Sequence, residues 1–229
     1  GKPADGGLSP RLRNRNPFLG SCWPAALRSK AGRPGSVESV EEMAIDKVRQ
    51  LAEVFASSGK MLYLVGGSVR DELLHRSGDD LDFTTDAVPS EIKALVVQLR
   101  PEAIYLIGEK FGTVGVVLDG HKLEITTFRT ERYDPESRKP CVGFGTSLHD
   151  DLARRDFTIN AIAQDPLTGV IIDLFGGLDD LRAGVIRAVG DGRQRFAEDP
   201  LRMLRAVRLG AQLGFTIEDA TREAIRAEV

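Results

Sequence analysis

The chain is poor in cysteine, with Cys22 and Cys141 its only two thiols. Two are too few for a disulfide framework and lack the spacing of a metal knuckle, so plain thiols in a reducing compartment are expected. No apolar run approaches the length needed to span a bilayer, which excludes a membrane-embedded protein and predicts a soluble one. His75, His121 and His149 are scattered, fit no metal-ligand spacing and are read as structural. There is no internal repeat, which removes solenoids and propellers. Strong net charge is also missing. At −3 overall, the chain as a whole does not attract phosphate, and a nucleic-acid partner has to be met by a local basic surface.

What is present is enough apolar material, 41% of 229 residues, to bury one full domain and part of another. Residues 1–36 stand apart. They hold seven basic residues (Lys2, Arg11, Arg13, Arg15, Arg28, Lys30, Arg33) against one acid, Asp5. Rich in Pro and Gly and without lasting period, they read as a disordered basic arm, a transit peptide or a vector-derived sequence, with RNA contact a minor alternative. The missing initiator Met and a last helix that reaches Val229 without a stop signal lead us to expect a fragment or processed chain.

From Val37 to about Ser58 the apolar residues Val40, Ala44, Val48, Leu51, Ala52 and Phe55 keep a helical spacing, closed by Gly59. MLYLV (61–65) reads as a buried strand, followed by a helix opening after Gly66 and Gly67. Residues 80–85 read as a second strand, and Pro89 starts the next helix. Strands are expected at 103–108, 113–118 and 122–128, the last two joined by a hairpin at Asp119-Gly120. A polar loop over 129–147, a short helix over 157–163, strands near 170–173 and 185–189, and helices at 200–213 and from Glu218 complete the reading. Strands and helices interleave first and helices dominate later, an α/β or α+β head followed by the opening of a helical domain.

The stretch DLDFTT (80–85) carries the chemistry. On a strand, residues two apart share a face, so Asp80 and Asp82 lie on one side and Leu81 and Phe83 on the other. Two carboxylates held that close repel unless a cation neutralises them, and hard oxygen ligands suit Mg²⁺ accompanying phosphates. In isolation such a pair is more often turn and cap chemistry; its neighbourhood argues otherwise. Gly66 and Gly67 end a strand and open a helix, where unpaired N–H groups attract phosphate, with Arg70 one turn in. This turn fits neither the G-x-G-x-x-G nor the G-x-x-x-x-G-K-[ST] pattern. Glu124 is a candidate third carboxylate that we leave out as an exposed strand glutamate.

Two further stretches are RRDFTINAIA (154–163) and EDPLRMLRAVRLGAQLGF (198–215). In the second, Asp199, Arg202, Arg205 and Arg208 recur along one side of a helix, with Leu201, Leu204, Val207 and Ala211 expected as its buried stripe. Together with LVGGSVRD and DDLDFTTDA, these stretches resemble the head of the class II tRNA nucleotidyltransferases, the CCA-adding enzymes, and the related bacterial poly(A) polymerases. The resemblance spans about residues 60–229. It implies a polymerase-β-like nucleotidyltransferase head with a small mixed sheet flanked by helices (37–190), then the start of a helical neck (191–229).

The resemblance further implies that Asp80 and Asp82 bind Mg²⁺ in a two-metal site and that Gly66, Gly67, Arg70 and Arg155 contact the nucleotide, with Asp156 and Asn160 near its ribose. Asp199 and Arg202 would read the base, and Arg205 and Arg208 base or phosphate. The reaction implied is addition of CCA to the tRNA 3′ end from CTP and ATP, in the cytoplasm or, if the arm is a transit peptide, in an organelle. Rivals are a poly(A) polymerase, a CC-only or A-only adding enzyme and, from another class, a catalytically silent nucleotide- or RNA-binding module. The loop over 129–147 occupies the place of the family's flexible loop.

Overall fold

The computed structural model describes residues 40–76, 80–107, 112–132, 141–145 and 147–228, and of 40–45, 80, 130–132 and 141–144 the backbone alone. The basic arm therefore lies outside the described residues. Helix α1 (Val40–Ser57) ends where Gly59 turns to φ 70°, and it buries Leu51, Ala52 and Phe55 as its period predicts. Strand β1 (Leu62–Val65) runs into Gly66 and then α2 (Gly67–Leu73). After β2 (Asp80–Thr85), α3 (Pro89–Val96) starts on its proline, and Glu91 reaches back to accept the Val88 N–H at 3.0 Å.

Next come β3 (Ala103–Ile107), β4 (Thr113–Leu118) and β5 (His121–Thr127). Asp119 and Gly120 both take positive φ, 49° and 78°, the two-residue turn whose twist matches a hairpin. These strands and two later ones, β8 (Ile162–Gln164) and β9 (Ile171–Asp173), build a seven-stranded sheet in the order β3-β4-β5-β2-β1-β8-β9. All neighbours are antiparallel except β2 and β5, which run parallel. One face packs Phe83, Val114, Val116, Leu123 and Ile125 against α1 and α3. On the other, Val65, Ala161 and Ala163 pack with Leu152 and Val189.

Three expectations are corrected here. Residues 129–147 are not simply a loop: β6 (Arg129–Arg132) pairs antiparallel with β7 (Cys141–Phe144), and α4 (Leu148–Ala153) begins on Ser147, whose hydroxyl accepts from the Asp150 N–H. The hairpin's first strand reads RTER, with no apolar residue from which an alternating pattern could be read. The helix expected over 157–163 is a single 3₁₀ turn, Thr158–Asn160, followed by β8. Phe157 is extended there, and the β-branched Thr158, Ile159 and Ile162 favour joining the sheet beside β1.

The third correction concerns the last helices. After α5 (Gly177–Ala183), β10 (Val185–Ile186) and α6 (Gly192–Glu198) comes α7 (Leu201–Leu213); β11 (Thr216–Ile217) pairs with β10 and leads to α8 (Asp219–Ala227). Leu201, Leu204 and Val207 are not buried but 63%, 69% and 58% exposed, and Ala211 is exposed with them. The buried side of α7 is Arg202, Ala206 and Leu209, packed with Phe157, Ile186 and Phe196 in a second hydrophobic cluster.

Candidate active site

Gly66 sits at φ 77°, ψ −135°, a region open essentially to glycine. Space is tight there as well. A Cβ at Gly66 would lie 3.0 Å from Arg155 Nη1 and 3.8 Å from Asp82 Oδ2. The turn thus brings its backbone against an arginine and a carboxylate. From α2, Arg70 turns inward: Nη2 meets Asp71 Oδ2 at 2.8 Å and Nη1 donates to Asn160 Oδ1 at 2.7 Å.

Asn160 in turn donates through Nδ2 to Asp156 Oδ1 at 3.0 Å, and Arg205 on α7 meets Asp156 Oδ2 at 2.7 Å. A continuous polar path therefore runs from the glycine turn to α7. Asp156 is buried and also accepts from the Phe157 N–H, so every contact it makes fixes this path rather than solvent. Arg154 and Arg155 are held from behind by Asp151, a fully buried carboxylate in the first turn of α4. Burial alone would raise the Asp151 pKa, but the two guanidiniums outweigh it and hold the carboxyl below its ordinary value.

On the neck side, Asp199 Oδ1 accepts the Leu201 N–H at 3.0 Å at the start of α7. Arg202 is buried, donating to Glu198 Oε2 at 3.0 Å and to the carbonyls of Arg195 and Arg154 at 3.2 and 2.9 Å. Its guanidinium is fixed on the cavity wall. Glu198, paired with both Arg195 and Arg202, was not singled out from sequence, although its i, i+4 spacing to Arg202 is the available signal.

These groups enclose a cavity of about 440 Å³ lined by Gly66, Gly67, Arg70, Asp82, Arg154, Arg155, Asp156, Asn160, Asp199, Arg202, Arg205, Arg208, Leu209 and Gln212. Every expected site residue is there except Asp80, whose side chain is outside the described residues. Asp80 stands opposite Lys122 in the β2–β5 register, two residues before the Asp82–Glu124 pair. Glu124, set aside as an exposed strand residue, is indeed exposed, yet its register position is beside Asp82. None of the three histidines lines the cavity.

A second cavity, of about 780 Å³, opens beside α6 and α8. It gathers none of the expected residues, and its Arg187 is already paired with Asp180 and Glu218. Among the described residues no group of three or more His, Cys, Asp or Glu side chains is placed to hold a metal ion. No described helix is long and apolar enough to cross a membrane.

A mixed sheet bearing a carboxylate strand beside a glycine turn, with helices on its flanks, is the architecture of a polymerase-β-like nucleotidyltransferase head. Residues 62–187 match the family described as the poly A polymerase head domain, and the chain belongs to that family. Its curated relatives include CCA-adding enzymes of Lactobacillus helveticus (strain DPC 4571), 48% identical over 181 residues, and Geobacillus sp. (strain WCH70), 46% identical over 180 residues. These matches cover 79% and 78% of this chain but 44% and 43% of the relatives, so the chain spans less than half of their length. Among solved structures, the Bacillus stearothermophilus CCA-adding enzyme in complex with CTP is 40% identical with a TM-score of 0.69, covering 82% of this chain and 43% of that one. A CCA-adding enzyme complex with ATP is 31% identical, also at TM-score 0.69, covering 82% and 42%.

Proposed function

We propose that the chain is the catalytic head (37–190) and opening neck (191–229) of a CCA-adding tRNA nucleotidyltransferase that uses CTP and ATP. The observation that carries this reading is the cavity in which the glycine turn, Asp82, the Arg154-Arg155-Asp156 segment, Asp199 and the α7 arginines Arg202, Arg205 and Arg208 converge. In this reading the Gly66–Gly67 backbone, Arg70 and Arg155 seat the triphosphate, and Asp156 and Asn160 lie toward the ribose. The tRNA 3′-hydroxyl attacks the α-phosphate in line and pyrophosphate leaves.

Base choice follows from donor and acceptor patterns. Cytosine and adenine each offer an exocyclic amine beside a ring-nitrogen acceptor, whereas uracil and guanine offer a carbonyl beside an N–H. A carboxylate accepting from the amine and an arginine donating to the ring nitrogen accept C and A and refuse U and G. Asp199 and Arg202 fill these roles, with Arg202 held in place by Glu198; Arg205 and Arg208 serve base or phosphate.

The donor set fits Mg²⁺. Asp82 and Glu124 are neighbours across β2 and β5, Asp80 lies two residues back along β2, and all supply hard oxygen. When bound, the metal lowers the pKa of the attacking hydroxyl and offsets the charge of the leaving pyrophosphate. The site residues and a cytoplasmic location belong to this same reading.

The test is equilibrium binding of each of the four nucleotides to this chain, followed by extension of tRNA lacking its 3′ end by the full-length protein with product sequencing. CTP and ATP bind, UTP and GTP do not, and C, C and A are added in turn. A long A tail would move the assignment to a poly(A) polymerase, the name its family carries. Binding without pyrophosphate release by the full-length protein would leave a silent binding module.

A further inference from the structure

We propose that Asp151 is a positioning residue for nucleotide binding: it touches no nucleotide but sets both Arg154 and Arg155 at the cavity wall. The proposal rests on reading the cavity as a nucleotide site. Asp151 comes from the first turn of α4, and its side chain is fully buried. Its Oδ1 accepts from Arg154 Nη2 at 2.7 Å and Nε at 3.2 Å, and from the backbone N–H of Arg129 at 3.2 Å; its Oδ2 accepts from Arg155 Nη2 at 3.3 Å. One carboxylate thus ties two cavity arginines to the root of the β6–β7 hairpin.

Arg155 has little else to hold it. Its Nη1 reaches the Asn160 carbonyl only at 3.5 Å, and its buried Nε–H meets no acceptor among the described residues. Without Asp151 the long arginine side chain would regain rotamer freedom beside Gly66, and ordering it again would oppose binding. Asparagine at 151 has the same shape but one acceptor oxygen, so it cannot serve both guanidiniums and the Arg129 N–H.

The sign of the effect separates positioning from charge. Asp151→Asn removes a buried negative charge behind the site, and Coulomb's law alone then predicts tighter binding of an anionic triphosphate. Positioning predicts the reverse, about a tenfold rise in the Kd of CTP and ATP, at a temperature where melting curves show the variant folded. Asp150→Asn removes an exposed neighbouring charge that pairs with His149 and leaves the Kd unchanged. If D151N does not fold, Asp151→Glu replaces it, keeping the charge but displacing the oxygens: positioning again predicts weaker binding, charge alone wild-type affinity.

A second measurement needs no nucleotide. In the free protein the Arg154 Nε–H, which donates to Asp151 Oδ1 at 3.2 Å, exchanges slowly with solvent, and in the Asp151 variant it exchanges fast. Unchanged exchange, affinity equal to or above wild type in the variant, or an equal loss in D150N would overturn the proposal. If the wild type binds neither nucleotide, it is the functional reading that fails, and the exchange measurement alone decides the role of Asp151.

Discussion

Arg205, half-exposed on α7, lies 2.7 Å from Asp156, a buried carboxylate in the segment that follows α4. The pair joins the sheet-borne part of the cavity to its helical wall. Arg205→Ala strips the buried carboxylate of its charged partner and leaves only Asn160 and the Phe157 N–H, so a loss of about 1–3 kcal/mol in unfolding free energy is expected. Denaturant titration measures it, and CTP affinity falls alongside. A variant as stable as wild type would mean that Asp156 is satisfied without α7.

The pairing of Asp82 with Glu124 across β2 and β5 predicts a joint effect. In the full-length protein, Asp82→Asn lowers nucleotide addition about a hundredfold or more, equivalent to several kcal/mol of lost transition-state stabilisation. Glu124→Gln shifts the dependence on Mg²⁺ concentration upward. Titrating Mg²⁺ against rate for both variants checks this, and an unaltered Mg²⁺ dependence in E124Q would confine Glu124 to the surface.

Helix α7 offers a contrast within one element. Leu209 is buried in the second cluster, so Leu209→Ala costs about 2–5 kcal/mol. Leu204 is 69% exposed, and Leu204→Ala shifts the stability of this chain by no more than about 0.5 kcal/mol. Thermal or chemical melts of the two variants suffice.

Glu72 gives a pH signature. Burial lifts its pKa above the ordinary 4.5, against a weak contact donated by Gln164. A carboxyl with a raised folded-state pKa binds more protons folded than unfolded, so stability falls as pH climbs from about the ordinary value to the raised one. Glu72→Gln removes that decline: the variant matches or exceeds wild type at neutral pH, and its advantage disappears in acid. Melting temperatures across the acid range test the crossover.

Much of this was legible because it is written in short-range pattern. Alternation in DLDFTT placed Phe83 in the core and Asp82 in the cavity, and Asp119-Gly120 marked a hairpin that takes positive φ at both positions. The Asp199, Arg202, Arg205 and Arg208 series does line one cavity, but only its arginines are on α7; Asp199 is extended backbone ahead of the helix. Its burial was misjudged, because a helix with one charged and one apolar stripe does not itself say which faces the body. Glu198 settles it by pairing Arg202 inside, and the leucines are turned out. The β6–β7 pairing and the Asp82–Glu124 adjacency depend on contacts distant in sequence, which no local period encodes.

The parallel pairing of β2 with β5 has a consequence for synthesis. A parallel neighbour cannot be reached by a tight turn, so the chain travels through α3, β3 and β4 before Glu124 comes alongside Asp82. On the ribosome the two acidic strands therefore remain apart until that whole excursion has emerged and closed, and a nascent chain released earlier carries the glycine turn and Asp82 but lacks Glu124.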